Sequence, residues 1–180
     1  PSYNPSLDDR FPYDPDMAKQ LLAEAGYGDG LTMTMPSTAA VPSAWFTLIQ
    51  QQLADVGITV VYDDVAPADF IGDMLSPTWS STWMQLQQDP TDWQLISFQV
   101  TAASLFNLFH YEDATVEDLA ASIQYGDEAA GAELNEYIVE QAWFVPFYRR
   151  ETTVVHKPEV AVEMQVGNTY PYLWNIKPAA

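Results

Sequence analysis

Tyr13-Asp-Pro-Asp-Met-Ala-Lys-Gln-Leu-Leu-Ala-Glu-Ala-Gly-Tyr27 spells out a whole helix, from its cap to its stop. Asp14 suits the N-cap, Pro15 the first helical position, where a missing N–H costs nothing, and Asp16 the positive end of the helix dipole. Met17, Ala18, Leu21, Leu22 and Ala25 recur at helical spacing as one apolar stripe, expected to be buried. Gly26 can take the left-handed conformation that ends a helix. The segment is architectural, and nothing in it points to covalent chemistry.

Outward from this helix, residues 31–35 read as a short strand. Residues 43–56 read as a helix with Trp45, Phe46, Leu48, Ile49, Leu53 and Val56 inward, and 58–65 as a second strand. A strand-helix-strand unit of this kind is expected to be parallel and right-handed. Pro67 and Asp69 open a helix through Phe70, Ile71, Met74 and Leu75. Residues 80–88 alternate as a strand does, and 91–98 fit either a turn of helix or a strand. Two helices follow, 115–125 and 127–141, split by Gly126, with Leu119, Ile123, Leu134, Ile138 and Val139 apolar. Residues 143–148 and 152–156 alternate like strands, the first buried through Phe144, Val145 and Phe147. Residues 1–12, with Pro1, Pro5 and Pro12, form an entering strap, and 157–180 a loop-rich tail containing Pro171 and Pro178. The pattern is α/β: a mixed β-sheet flanked by helices, with residues 1–180 as a single domain.

Composition narrows the function. With 180 residues, 48% hydrophobic, and 6 Trp, 10 Tyr and 8 Phe, the chain can bury one sizeable core. No stretch approaches the roughly 20 apolar residues of a membrane span. The absence of Cys excludes disulfides and thiol chemistry. A formal charge of -19, from 25 acids against 6 bases, opposes nucleic-acid binding, which needs clustered Lys and Arg. The acidity itself reads as solubility outside the cell or adaptation to salt.

Hydrolase signatures are missing: there is no Gly-x-Ser-x-Gly elbow and no Cys nucleophile, and His110 and His156 are the two histidines. Asp8-Asp9, Asp14-x-Asp16 and Asp63-Asp64 lack the spacing of a calcium loop, and no Glu-x-x-His appears. Neither an enzyme nor a cofactor or metal is expected.

Chemistry that can hold a solute is concentrated in Trp83-Met-Gln-Leu-Gln-Gln-Asp-Pro-Thr-Asp-Trp93. In an open α/β sheet, ligands sit outside the carboxyl ends of strands. On a strand, Trp83, Gln85 and Gln87 share one face, and Asp89 stands at its exit. The amides offer donors and acceptors, Asp89 can hold an ammonium, Trp93 offers a rigid apolar wall, and Trp83 reads as a core side chain, with a second wall as its alternative role. His110, in Asn107-Leu-Phe-His-Tyr111, is a further candidate, with capping of loop backbone as its alternative role. Arg149 and Arg150 suit surface ion pairs better than a ligand carboxylate.

The opening helix, followed by Gly28-Asp-Gly-Leu-Thr-Met-Thr-Met-Pro36 and by Ala44-Trp-Phe-Thr-Leu-Ile-Gln-Gln-Gln-Leu-Ala-Asp-Val-Gly-Ile-Thr-Val-Val61, resembles the family 5 extracellular solute-binding proteins of ABC transporters. Tyr111-Glu-Asp-Ala-Thr-Val-Glu-Asp-Leu119 and Gln141-Ala-Trp-Phe-Val-Pro-Phe-Tyr148 match later pieces of the same family in the same order. The resemblance implies the carboxy-terminal lobe of a two-lobed, type II periplasmic-binding-protein-like fold. Its implied partners are a peptide-like or small polar ligand, ABC permease subunits and the amino-terminal lobe of the same protein. Its implied location is the periplasm or the outer face of the cell membrane, with any lipid anchor outside this stretch. By the same resemblance, Asp89 is the acid that meets a ligand amino terminus, and Asn107 contacts ligand or pins its loop. Leu86 stands where the family has a tryptophan. That departure supports the rival expectation, an interaction or structural domain that kept the fold without solute capture.

Overall fold

Asp14 caps the first helix as its position requires. Its Oδ1 accepts from the Met17 N–H at 2.9 Å, Pro15 opens α1 (Pro15–Glu24), and Gly26, at φ +87°, follows its end. The apolar stripe, however, is not buried. Met17 and Leu21 are 48% and 56% exposed, and only Ala18 and Leu22 are half-covered. Helical spacing fixes which side chains share a face, and burying that face takes a packing partner that the described residues do not supply.

In this computed structural model, residues 2–39, 43–79, 81–84, 91–147, 153–165 and 170–179 are described. They fall into two units: one runs Asp9–Met84, and the other joins the residues up to Asp8 to those from Gln85 onward.

The first unit is built on β1 (Leu31–Ser37), α2 (Ser43–Asp55) and β2 (Ile58–Asp64). The strands are parallel and in register from Leu31↔Ile58 to Ser37↔Asp64, as strand-helix-strand connectivity demands. Gly30 and Gly57, at φ +92° and +96°, start the two strands, and the Leu31 N–H donates to the Gly57 carbonyl at 3.1 Å. A Cβ on Gly30 would lie 2.7 Å from that same carbonyl oxygen, so the approach admits glycine only. Phe46 of α2 is buried and meets Tyr62 of β2 edge-on at 5.0 Å, while the Tyr62 hydroxyl donates to the Phe46 carbonyl at 3.0 Å. Burial raises the Tyr62 pKa. The Gln50 amide donates to the Val60 carbonyl at 2.9 Å, and Val60, Met35, Pro36, Val65 and Met74 are buried with Phe46. Met74 belongs to α3 (Phe70–Met74).

The second unit packs α4 (Asp92–Gln99), α5 (Ala114–Gln124) and α6 (Glu128–Glu140) around Ile96, Val100, Val116, Ala120, Ile123, Ala130 and Leu134. Each helix starts on a side-chain cap: Thr91 accepts from the Gln94 N–H, Asp113 from Val116, and Asp127 from Ala129 and Ala130. Residues 91–98, which fit two readings, are therefore helical, and Gly126 at φ +89° divides α5 from α6 as expected.

Three strand expectations differ from the structure. Among the described residues, 81–84, 143–147 and 153–156 carry no strand, and Phe144, Val145 and Phe147 are exposed rather than buried. Alternation prepares a segment for a sheet, but a strand exists only where a neighbour shares its ladder. Conversely, the tail holds an antiparallel pair, β3 (Val160–Val162) with β4 (Ile176–Pro178), where a loop was expected. Beside it Tyr172 and Trp174 stack at 4.4 Å. Helices and strands thus interleave in an α/β chain, and among the described residues the strands form one parallel and one antiparallel pair.

Candidate functional site

The loop between α4 and α5 is ordered by its own polar side chains. Thr101 and Ser104, both buried, share a hydroxyl hydrogen bond at 2.9 Å, and Ser104 Oγ also donates to the Ile96 carbonyl at 3.1 Å. This ties the loop to the last turns of α4. From the other side, Glu117 Oε1 of α5 accepts the Ala102 N–H at 2.7 Å.

Asn107 closes the ring. Its Nδ2 donates to the Thr101 carbonyl at 3.1 Å and the Tyr111 carbonyl at 2.8 Å, with Val100 at a marginal 3.5 Å, and its Oδ1 accepts the Tyr111 N–H at 3.0 Å. The amide is committed to backbone, an arrangement only Asn or Gln chemistry satisfies, since donors and acceptors are needed together.

His110 adopts φ +49°, a region that few residues other than glycine enter. Its Nδ1–H donates to the Ala102 carbonyl at 2.9 Å, and the residue is exposed. That bond fixes the tautomer, so the neutral ring presents Nε2 as an acceptor. Around it Leu105, Phe109 and Tyr111 are 54%, 61% and 57% exposed. Tyr111 packs edge-on against Trp143 at 5.5 Å. The Tyr137 hydroxyl donates to Asp113 Oδ2 at 2.8 Å, and this hydrogen bond first, then burial, raises the Tyr137 pKa. Asp113 thus caps α5 with one oxygen and holds α6 with the other.

Trp93 lies on the first turn of α4 and packs against the helical core, half-buried. It shares its unit with Asn107 and His110. Trp83 belongs to the other unit, off any strand, with its ring 5.7 Å from Trp45. The shared strand face expected for Trp83, Gln85 and Gln87 is not supported at Trp83. Gln85, Leu86, Gln87 and Asp89, and Arg149 and Arg150, lie outside the described residues. Sequence reasoning passed over Thr101, Ser104, Glu117 and Tyr137. Asp113 carried a legible signal, an Asp immediately before a helical pattern.

Among the described residues, no group of three or more His, Asp or Glu side chains is placed to hold a metal ion, and no helix is long and apolar enough to cross a membrane.

Residues 1–105 match the family model of the bacterial extracellular solute-binding proteins, family 5 Middle. The chain is 30% identical over 146 residues to the glutathione-binding protein GsiB of Pectobacterium atrosepticum, covering 74% of this chain and 28% of that protein. It is 31% identical over 160 residues to GsiB of Escherichia coli K12, covering 79% and 29%. Its structure resembles DppA, an ABC transporter-associated periplasmic binding protein of Helicobacter pylori solved with the peptide STSA. That likeness has a TM-score of 0.63 at 25% identity, over 78% of this chain and 30% of that one. The chain therefore spans under a third of the length of the relatives it matches. A match over residues 1–105, more than half the chain, joined to the α/β architecture, makes this chain a member of the family 5 bacterial extracellular solute-binding proteins.

Proposed function

We propose that this chain is the carboxy-terminal lobe of the substrate-capturing component of an ABC importer, which holds a peptide-like or other small polar solute non-covalently and passes it to a membrane permease. The observation that carries the reading is the family match over residues 1–105. The ligands of two relatives, glutathione and a short peptide, favour a solute with an amine and a carboxylate. The protein works outside the cytoplasmic membrane.

In this reading Asp89 takes the solute amine, Gln85 and Gln87 supply amide contacts, and Trp93 supplies apolar wall. Asn107 acts through the loop it ties, and His110 offers Nε2 to a solute N–H. A few placed polar groups then give selectivity, because leaving one buried without its partner costs about 1–3 kcal/mol. No bond is made or broken, so no enzymatic turnover is expected.

The test is calorimetric titration of the whole gene product with glutathione and with peptides of two to four residues. Micromolar binding, weakened at least about tenfold by Asp89→Asn, is the expected result; a tenfold loss corresponds to about 1.4 kcal/mol. Absence of binding to every such solute, with the protein folded, would overturn the reading in favour of a lobe that kept only the fold.

A further inference from the structure

Gly131 sits inside α6, where glycine is among the worst helix formers. No turn requires it there, and the neighbours explain it. A Cβ built on Gly131 would stand 2.5 Å from Ser2 Oγ and 2.9 Å from Asp92 Oδ2. The bare Cα leaves room for the Ser2 hydroxyl and the Asp92 carboxylate to meet over α6. Ser2 Oγ donates to Asp92 Oδ2 at 2.5 Å, and Asn135, one turn along α6 from Gly131, donates through Nδ2 to the Ser2 carbonyl at 3.1 Å. Three elements far apart in sequence therefore meet at Ser2.

We propose that Gly131, Asp92 and Asn135 form a seat for the chain's own entering strap, and that the strap works as a clasp on the start of α4. The topology gives the clasp its purpose. The chain leaves this unit after Asp8 and returns to it at Gln85, so the Asp9–Met84 unit is an insertion. The Ser2–Asp92 bond joins the outgoing strap to the first turn of the returning helix, closing a loop of about 90 residues, and the Asn135 bond holds the same end from α6. Asp92 is the first residue of α4, so holding the strap also holds the start of that helix. The inference stands on the fold alone and survives if the chain captures no solute.

The experiment is a cycle in the full chain: Gly131→Ala, Ser2→Ala and the two combined, each followed by thermal unfolding and by limited proteolysis of the segment 2–8. Alone, Gly131→Ala expels Ser2 and lowers Tm by about 3–6 °C despite the better helix propensity of alanine. In the Ser2→Ala background the 2.5 Å approach is gone and the 2.9 Å approach to Asp92 Oδ2 remains, so the same change lowers Tm by less than half as much as in the wild type. Cleavage within residues 2–8 accelerates several-fold in each single variant. An equal Tm change in both backgrounds would overturn the clasp. If Gly131→Ala does not fold, Asn135→Ala carries the test. Faster cleavage of the strap with little change in Tm supports the seat, and wild-type cleavage rejects it.

Discussion

Replacing Asn107 should expose how the α4–α5 loop is held. Its amide makes three bonds of good length, to the Thr101 carbonyl at 3.1 Å and to the carbonyl and N–H of Tyr111 at 2.8 and 3.0 Å, while the 3.5 Å approach to Val100 adds little. At a net of about 1 kcal/mol each, the three bonds contribute about 3 kcal/mol. Tyr111 is exposed, so water replaces part of what Asn107→Ala removes, which brings the expected loss to about 2 kcal/mol, or about 4–8 °C in Tm for a chain of this size. Asn107→Asp should be worse although it keeps the shape, because it turns an oxygen toward two carbonyl oxygens that now face an N–H donor. Urea titration gives the stability, and hydrogen exchange of amides 101–111 shows whether the loop is what opened. A loss under about 0.5 kcal/mol for alanine, or aspartate more stable than alanine, would refute the assignment. A fall in solute affinity with stability unchanged would instead make Asn107 a direct ligand contact.

Three further outcomes follow from the same packing. Leu134, 1% exposed at the centre of the helical core, should cost about 2–5 kcal/mol as Leu134→Ala, read from the urea midpoint of that unit. Gly30→Ala should cost well beyond the roughly 1 kcal/mol of Gly126→Ala, although both glycines have positive φ. A Cβ at 30 meets a carbonyl oxygen at 2.7 Å, and one at 126 meets nothing within 4 Å, so equal losses would show that the β1 start relaxes freely. The Tyr137 hydroxyl, raised by its bond to Asp113 and by burial, sets an alkaline dependence. A phenol whose pKa is higher when folded contributes stability that is complete below its unfolded value near 10 and lost as pH climbs through the folded one. The wild type should therefore lose stability above about pH 10 more steeply than Tyr137→Phe, with the remaining slope due in part to Tyr62, and coincident pH profiles would contradict the shift.

Local signals were legible and non-local ones were not. The caps at Asp14, the breaks at Gly26 and Gly126, and the strand-helix-strand unit all follow from interactions within a few residues, which a sequence displays directly. Residues 91–98 stayed ambiguous because their apolar positions fit both periods; the Thr91 cap and the core contacts of Ile96 decide for a helix. Alternation at 143–147 misled for the opposite reason, as it carries no information about a pairing partner. The β3–β4 pair was missed because three-residue strands are too short for alternation to register. Within the candidate site, Asn107 and His110 were marked by residue type, but their partners at Thr101, Ala102 and Tyr111 emerge only from the folded loop.

The same division explains why the family could be read while the solute could not. The segments that carry the resemblance, α1, β1, α2 and β2, are fixed by capping, turn geometry and burial, which tolerate few alternatives and so leave a durable pattern. In the proposed reading, solute choice would rest on a handful of polar atoms near Asp89, where exchanging one donor for one acceptor would redirect binding with no effect on the scaffold. The α4–α5 loop joins these two regimes. Its hydroxyls and amide are consumed in holding backbone, so it contributes rigidity, and the His110 ring, fixed through Nδ1, keeps its other nitrogen as an acceptor. Variation at 85–90 should therefore change which solute is held, and variation at Asn107 or Asp113 should change how firmly any solute is held.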